Sequence, residues 1–141
     1  MSSITHDAAA AAGLILFAHG ARDPAWAAPF EAVAAAVRHA RPALPLRLAF
    51  LESMQPDLAR AGAELCAAGC TRVDIVPLFL GTGGHLKRDL PPLVEGLRGA
   101  HPQTDWILHA PAGESPLLTQ ALCNIALAAL PAQIRPGNTA P

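Results

Sequence analysis

The feature that most constrains this chain is a strict alternation of short apolar segments with longer segments of helical spacing. Short apolar runs bounded by turn residues predict buried strands. Four such runs occur, at residues 14–18, 46–51, 73–80 and 106–109. Because a helical segment follows each one, we expect an α/β fold: a four-stranded parallel sheet flanked by helices on both faces, with right-handed crossovers.

Capping residues mark where the helices begin. Asp23, Asp57 and Ser115 each stand next to a proline at a helix start, and Asp89 is predicted to cap the third helix. The last helix is expected to turn one apolar stripe towards the sheet, formed by Leu118, Leu122, Ile125 and Ala129. Pro77 is unusual inside a strand because it lacks a backbone donor, and a bulge or an edge-facing position would each accommodate it.

Length and composition predict one domain over residues 13–130, with flexible tails at 1–12 and 131–141. The formal net charge is -1, which argues against a nucleic-acid partner. No apolar run reaches the ~20 residues of a membrane-spanning helix. The start of the chain lacks the basic residues of a secretory signal. Since the three cysteines are odd in number and form no CxxC pair, we interpret them as thiols of a cytoplasmic protein.

Residues 76–91 carry the strongest functional signal. An apolar strand leads into a loop with Gly81, Gly83 and Gly84, which presents His85 before a helix opens. An imidazole among glycines has little side-chain mass to pack against, and glycines let a ligand approach the main chain. The loop is therefore predicted to be a binding or catalytic site.

Two further polar residues are expected at the same place. In open parallel sheets, ligands bind beyond the carboxyl ends of the strands. If the strand order is 2-1-3-4, His19 after strand one, Glu52 after strand two and His85 after strand three converge. Two imidazoles and one carboxylate suit a divalent transition metal and leave coordination positions open. The nearby cations Arg22, Lys87 and Arg88 would attract an anionic substrate.

With these residues in place, the sequence resembles the class II tetrapyrrole chelatases, and more narrowly the short-form sirohydrochlorin cobaltochelatases. The resemblance runs from residue 14 to residue 129 and preserves the order and spacing of three motifs. They read His19-Gly-Ala-Arg-Asp23, then Phe50-Leu-Glu52 before Pro56-Asp57-Leu58, then Val76-Pro-Leu-Phe-Leu with Gly84-His85 and Asp89-Leu-Pro91.

The resemblance implies a function and roles for individual residues. It makes His19 and His85 the catalytic histidines, and Glu52 matches the acidic residue that joins them at the metal in some members of the family. The implied reaction is ATP-independent insertion of Co²⁺, Fe²⁺ or Ni²⁺ into metal-free sirohydrochlorin, with no permanently bound cofactor. Since long members of the family hold two such halves, the resemblance also implies a homodimer of this chelatase-like half domain. The residues expected to bind the tetrapyrrole are Arg22, Gly83, Gly84, Lys87 and Arg88.

Other interpretations remain open at this point. The same ligands would serve a non-catalytic carrier of metal or tetrapyrrole. A phosphate-ester enzyme is disfavoured because the glycine loop lacks the lysine and hydroxyl of a phosphate-binding loop. Ligand type does not rank the three metals. His109, at the end of strand four, is a candidate for a supporting role at the active edge.

Overall fold

The structure, a computed structural model, describes residues 11–81 and 83–132. Its elements follow the predicted alternation. They are β1 (Ala12–Ala18), a 3-10 helix (Pro24–Ala27) leading into α1 (Ala28–Ala40), β2 (Leu46–Phe50), α2 (Leu58–Ala67), β3 (Arg72–Pro77), α3 (Gly84–Ala100), β4 (Asp105–Leu108), a second 3-10 helix (Ala112–Glu114) and α4 (Pro116–Ala128).

The four strands form one parallel sheet in the order β2-β1-β3-β4, which confirms the predicted topology. Leu16 in β1 pairs with Leu48 on one side and Val76 on the other. The chain moves from β1 to β2 on one side and then to β3 on the other. The carboxyl ends of these three neighbouring strands therefore meet where the strand order reverses, the usual place for a ligand.

Helices cover both faces of the sheet, as predicted. The larger core lies on the face of α2 and α3, where Phe17, Ile75, Leu65 and Val94 are fully buried. The smaller core lies on the opposite face, where Ala34 of α1 packs with apolar residues of β1 and β2. This burial of apolar surface fixes the sheet and thereby the positions of the strand ends.

Three of the four predicted caps are confirmed. The Asp57 carboxylate accepts a hydrogen bond from Arg60 N at 2.9 Å, and the side chains of Asp23 and Ser115 accept from Ala25 N and Leu117 N. The prediction for Asp89 is wrong, because α3 begins at Gly84 with Gly83 as its N-cap.

The earlier start of α3 has a packing cause. Leu86 packs against the core and lies on the same face of α3 as the buried Leu90. A helical conformation in the turn before Asp89 is what brings Leu86 into contact with the core. His85 consequently lies in the first turn of α3 and not on the preceding loop.

The third strand is shorter than predicted and ends at Pro77. Its pairing with β4 ends at Ile75, so the absent N–H of Pro77 interrupts no strand pair on that side. On the other side, Leu78 N donates to Phe17 O at 2.8 Å, directly after the strand. Pro77 is therefore accommodated by its place at the strand end, without a bulge, and residues 78–81 form a loop.

The last helix differs most from its prediction. Within the described part of the chain no residue of α4 is buried, and Ile125 keeps 66% of its surface exposed. The contacts of α4 run mainly to the 3-10 helix that precedes it. The apolar residues of α4 therefore have the spacing of a buried helix face, but within the described chain they do not pack against the sheet.

The predicted tails lie almost entirely outside the described residues, and β1 begins at Ala12, one residue before the predicted domain boundary. None of the described helices has the length and apolar content needed to cross a bilayer. The cysteines are free thiols: Cys70 is buried, Cys66 half-buried and Cys123 exposed. Burial raises the pKa of the Cys70 thiol, so this cysteine acts as a small apolar core residue.

Candidate metal centre

The ends of β1 and β2 are held together by the backbone. Leu51 N donates to Ala18 O at 2.9 Å, and Glu52 N donates to His19 O at 3.0 Å. Gly20 follows with a φ of 93°. A Cβ built on it would lie 1.9 Å from Glu52 O, so no residue with a side chain fits between the two strand ends. The sequence His19-Gly20 thus allows β1 to end in close contact with the residue that carries the carboxylate.

This backbone arrangement brings two polar side chains together. His19 Nε2 lies 3.5 Å from Glu52 Oε1, and the two side chains are 51% and 61% exposed. Two ligand atoms each about 2.1 Å from one ion, at an angle of roughly 100°, would be about 3.2 Å apart. The observed separation is therefore close to that of two ligands sharing one metal ion, and both atoms are open to solvent.

The imidazole of His19 packs against an aromatic residue, Phe79. The rings of His19 and Phe79 meet edge to face, with centroids 6.2 Å apart and an interplanar angle of 75°. Phe79 is buried and also meets Phe17 edge to face. This contact limits the positions open to the imidazole, and it was not predicted, because Phe79 was assigned to the third strand.

The loop that carries Phe79 is fixed by the second 3-10 helix. Gly113 N donates to Phe79 O at 2.8 Å. A Cβ at Gly113 would lie 1.6 Å from Leu80 O, so glycine is required for this approach. No feature of the sequence near residue 113 indicates this role, since the contact joins residues more than thirty positions apart.

The start of α3 presents the other predicted residues. His85, Lys87 and Arg88 are exposed in its first turns, and Arg88 Nε donates back to Gly84 O at 3.3 Å. A Cβ built on Gly83 or Gly84 would meet no described atom within 4 Å. This helix end follows β3 at the same edge of the sheet as His19 and Glu52, and its main chain is open to a large ligand. Arg22 is also exposed, in the loop after β1.

The structure brings together only part of the predicted ligand set. Among residues 11–81 and 83–132, no three His, Cys, Asp or Glu side chains form a group able to hold a metal ion. His19 and Glu52 are paired, whereas His85 stands apart in the first turn of α3. The three-ligand site stays a prediction.

His109 does not support the active edge. Its Nε2 lies 2.7 Å from Asp74 Oδ2, and Arg72 binds the same carboxylate through Nε at 2.9 Å and Nη2 at 3.1 Å. Asp74 lies in the middle of β3, so the ring of His109 folds back over the sheet. The Arg72 guanidinium, helped by His109, lowers the pKa of Asp74 to about 2.

The Asp74 cluster predicts an acid-sensitive contribution to stability. Because the native pKa is about 2 and the ordinary value 3.8, the ionised carboxylate stabilises the fold above about pH 4. That contribution is lost as the pH falls from 4 to 2. Asp74→Asn should lower the free energy of unfolding by about 2 kcal/mol at pH 7, and by much less at pH 2. Urea titrations at both pH values measure the difference.

The matched control is Asp89→Asn, at an exposed position of α3, which should change stability little at either pH. An unchanged stability of the Asp74→Asn protein at pH 7, or a deficit that persists at pH 2, would show that the charged cluster does not stabilise the fold.

The groove between α1, β2 and α2 carries charged side chains but differs chemically from the predicted metal site. Arg38, Arg47 and Arg60 line it together with Glu64. Arg47 Nε binds Glu64 at 3.0 Å and Arg60 Nε binds it at 3.3 Å, and these contacts lower the pKa of Glu64. Two of the arginines are already paired with Glu64, and no described histidine lines the groove. The groove therefore does not match the predicted metal site, which requires imidazoles.

Comparison with known proteins identifies similar sequences and a similar fold. The family model CbiX matches residues 13–128. The sirohydrochlorin cobaltochelatase of Saccharolobus islandicus (strain L.S.2.15 / Lassen #1) is 34% identical over 82 residues, which cover 58% of this chain and 62% of that protein. The enzyme of the same name from Methanococcoides burtonii is 28% identical over 83 residues, which cover 59% of this chain and 63% of that protein. The aligned region thus spans less than two thirds of each relative.

A solved structure covers more of the molecule. The crystal structure of a CbiX protein assigned to cobalamin (vitamin B12) biosynthesis, from Marinobacter aquaeolei VT8, superimposes with a TM-score of 0.75. The two sequences are 30% identical, and the match covers 83% of this chain and 95% of that chain. The parallel sheet and its strand order are therefore those of a known architecture.

Proposed function

Since the chain belongs to the CbiX family, we propose that it inserts a divalent metal ion, Co²⁺ first, into sirohydrochlorin. The observation that carries this proposal is the His19–Glu52 pair, two exposed ligand atoms 3.5 Å apart at the carboxyl ends of neighbouring strands. The relatives named sirohydrochlorin cobaltochelatase support the choice of substrate and metal. Fe²⁺ and Ni²⁺ are the alternative cargoes, because the same ligand types accept all three ions.

The chemistry assigns a task to each residue of the site. Insertion requires the ion to exchange its water for four ring nitrogens while two pyrrole N–H protons leave. His19 and Glu52 hold the incoming ion, and His85 is the third ligand. At least one imidazole accepts a pyrrole proton, since histidine exchanges protons near neutral pH. A given nitrogen holds either metal or proton, because both use the same lone pair.

Glu52 has two further uses that fit its position. Its carboxylate contacts the imidazole of His19 and is 61% exposed, so it can orient the ring and pass protons to solvent. The edge-to-face contact with Phe79 also restricts the same ring. Among the described residues, the His19 ring is therefore held by two side chains, those of Glu52 and Phe79.

Cations and open backbone at the start of α3 suit an anionic macrocycle. Lys87, Arg88 and Arg22 would bind peripheral carboxylates of the tetrapyrrole, and Arg22 can do so bidentately. Gly83 and Gly84 leave the main chain accessible to a flat ligand. By its resemblance to the class II chelatases, the protein is proposed to act without ATP. It would hold no resident cofactor, because the metal is itself a substrate.

Two further assignments belong to the proposal, the first by family resemblance and the second from the cysteines. The active form is a homodimer, since long relatives join two such halves and a flat macrocycle needs enclosure on both sides. The protein works in the cytoplasm, where its three free thiols would stay reduced.

A spectral assay tests the proposal. Purified protein is mixed anaerobically with metal-free sirohydrochlorin and Co²⁺, and the visible spectrum is followed against a protein-free control. The expected result is a catalytic acceleration of the change to the metallated spectrum, with several turnovers per chain. Binding of tetrapyrrole or cobalt without acceleration would identify a carrier and refute the enzymatic role. Parallel runs with Fe²⁺ and Ni²⁺ rank the metals.

A further inference from the structure

Leu80 is a large apolar side chain that faces solvent at the carboxyl ends of the strands. It lies in the loop after β3, and 69% of its surface is exposed. Apart from Leu80, the described large apolar side chains with more than half of their surface exposed lie in α4 or at Leu130. A lone exposed leucine is common on protein surfaces, so its significance depends on how and where the fold holds it.

The backbone around Leu80 is held at three points. Leu78 N donates to Phe17 O at 2.8 Å, and Gly113 N donates to Phe79 O at 2.8 Å. A Cβ at Gly113 would lie 1.6 Å from Leu80 O, so the backbone of Leu80 lies directly against the second 3-10 helix. The exposure of Leu80 therefore does not come from a loose loop. Because its backbone is already ordered, a ligand that contacts Leu80 does not have to order this segment.

The residue before Leu80 places this side chain beside the proposed metal centre. Phe79 is 5% exposed, and its ring meets the imidazole of His19 with centroids 6.2 Å apart. Consecutive Cα atoms are ~3.8 Å apart, so Leu80 belongs to the immediate surroundings of this contact. The start of α3, with the open main chain of Gly83 and Gly84, follows within a few residues. Leu80 thus adds an apolar contact at an edge whose other described groups are imidazoles, a carboxylate, cations and bare backbone.

From this placement we infer that Leu80 contacts the flat face of the tetrapyrrole and holds the macrocycle beside His19. The inference rests on the proposed function and adds a residue that binds the apolar part of the substrate. Arg22, Lys87 and Arg88 suit the carboxylates at the periphery of the macrocycle. Its conjugated face is apolar and gains more from a hydrocarbon side chain. Since Leu80 holds neither the ion nor a proton, it should act on substrate affinity and not on the chemical step.

Leu80→Ala tests the contact by two measurements. Titration of metal-free sirohydrochlorin into the protein without added metal gives the dissociation constant, which we expect to rise about 10-fold. In the spectral assay, the KM for sirohydrochlorin should rise by a similar factor, and kcat should stay within about twofold of the wild type. Leu80→Met should bring the affinity back to within about threefold of the wild type, because methionine keeps the apolar volume.

Val33→Ala is the matched control, because Val33 is a 41% exposed apolar residue of α1. It should leave both the dissociation constant and KM unchanged. Urea unfolding should give Leu80→Ala nearly wild-type stability, since the truncated side chain is exposed. An unchanged affinity of Leu80→Ala for the tetrapyrrole overturns the inference. A fall in kcat at constant KM also overturns it, because the residue would then act on the reaction and not on binding.

The outcomes separate this inference from the proposed function. A wild type that inserts cobalt, with a Leu80→Ala variant that binds sirohydrochlorin equally well, refutes the inference alone. A wild type that binds sirohydrochlorin through Leu80 but does not accelerate insertion refutes only the enzymatic proposal. Sedimentation velocity tests whether Leu80 contacts a second copy instead. Weaker self-association of Leu80→Ala with unchanged tetrapyrrole affinity would assign the leucine to an interface between copies and overturn the inference.

Discussion

Replacing His85 by alanine is expected to lower the rate of cobalt insertion by about 100-fold or more, since a positioned ligand and proton acceptor contributes on that scale. His85 is exposed in the first turn of α3, and alanine is a better helix former than histidine. The free energy of unfolding should therefore stay close to that of the wild type. Initial rates in the spectral assay, together with urea unfolding, measure the two quantities separately.

His19→Ala should produce a loss of similar size, because it removes one member of the observed pair with Glu52. The matched control is His39→Ala, in the exposed last turn of α1. This turn precedes the start of β2 and does not belong to the loops after the carboxyl ends of the strands. The insertion rate of His39→Ala should equal that of the wild type. Near-normal turnover in either the His19 or the His85 variant would remove that residue from the mechanism.

Gly20→Ala is expected to reduce both the stability of the protein and its rate of metal insertion by a large amount. The new Cβ would lie 1.9 Å from Glu52 O, and the φ of 93° is strained for alanine. The strand ends must therefore separate, which should lower the free energy of unfolding by at least about 2 kcal/mol. Separation of the strand ends would also break the backbone hydrogen bond from Glu52 N to His19 O. The rate of metal insertion should therefore also fall strongly. Urea unfolding and the spectral assay test both effects.

Gly96→Ala serves as the control for this substitution. Gly96 is exposed within α3, and its Cβ would meet no described atom within 4 Å. Alanine should stabilise the protein there by roughly 0.5–1 kcal/mol, because glycine is unfavourable inside a helix. If Gly20→Ala were as stable and as active as Gly96→Ala, the close approach of the two strand ends would have no importance for the site.

The sequence was sufficient to predict the sheet and most helix starts. Alternation of apolar runs and caps is local information, and Asp57 and Ser115 cap as expected. The start of α3 was predicted six residues late, with Asp89 and not Gly83 as the N-cap, because Asp89 and Pro91 form a typical helix start. Packing of Leu86 on the core overrode that local signal, and only the tertiary structure shows such packing.

The site was predictable only in part for the same reason. Strand ends and the strand order placed His19 and Glu52 together, and the structure shows them 3.5 Å apart. The aromatic contact to His19 comes from Phe79, whose position depends in turn on Gly113, and neither of these distant residues has a local signature. The position of His85 relative to the pair depends on how α3 sits at the edge of the sheet. The spacing of apolar residues on α4 likewise predicts a buried stripe but does not identify what covers it.

The most direct measurement is a double-mutant cycle on the rate of cobalt insertion with His19→Ala, His85→Ala and the two combined. If both imidazoles serve one ion in one step, removing the second should cost little once the first is gone. The double variant is then expected to be about as slow as the slower single variant. Losses that multiply fully in the double variant would contradict a single metal centre formed by His19 and His85.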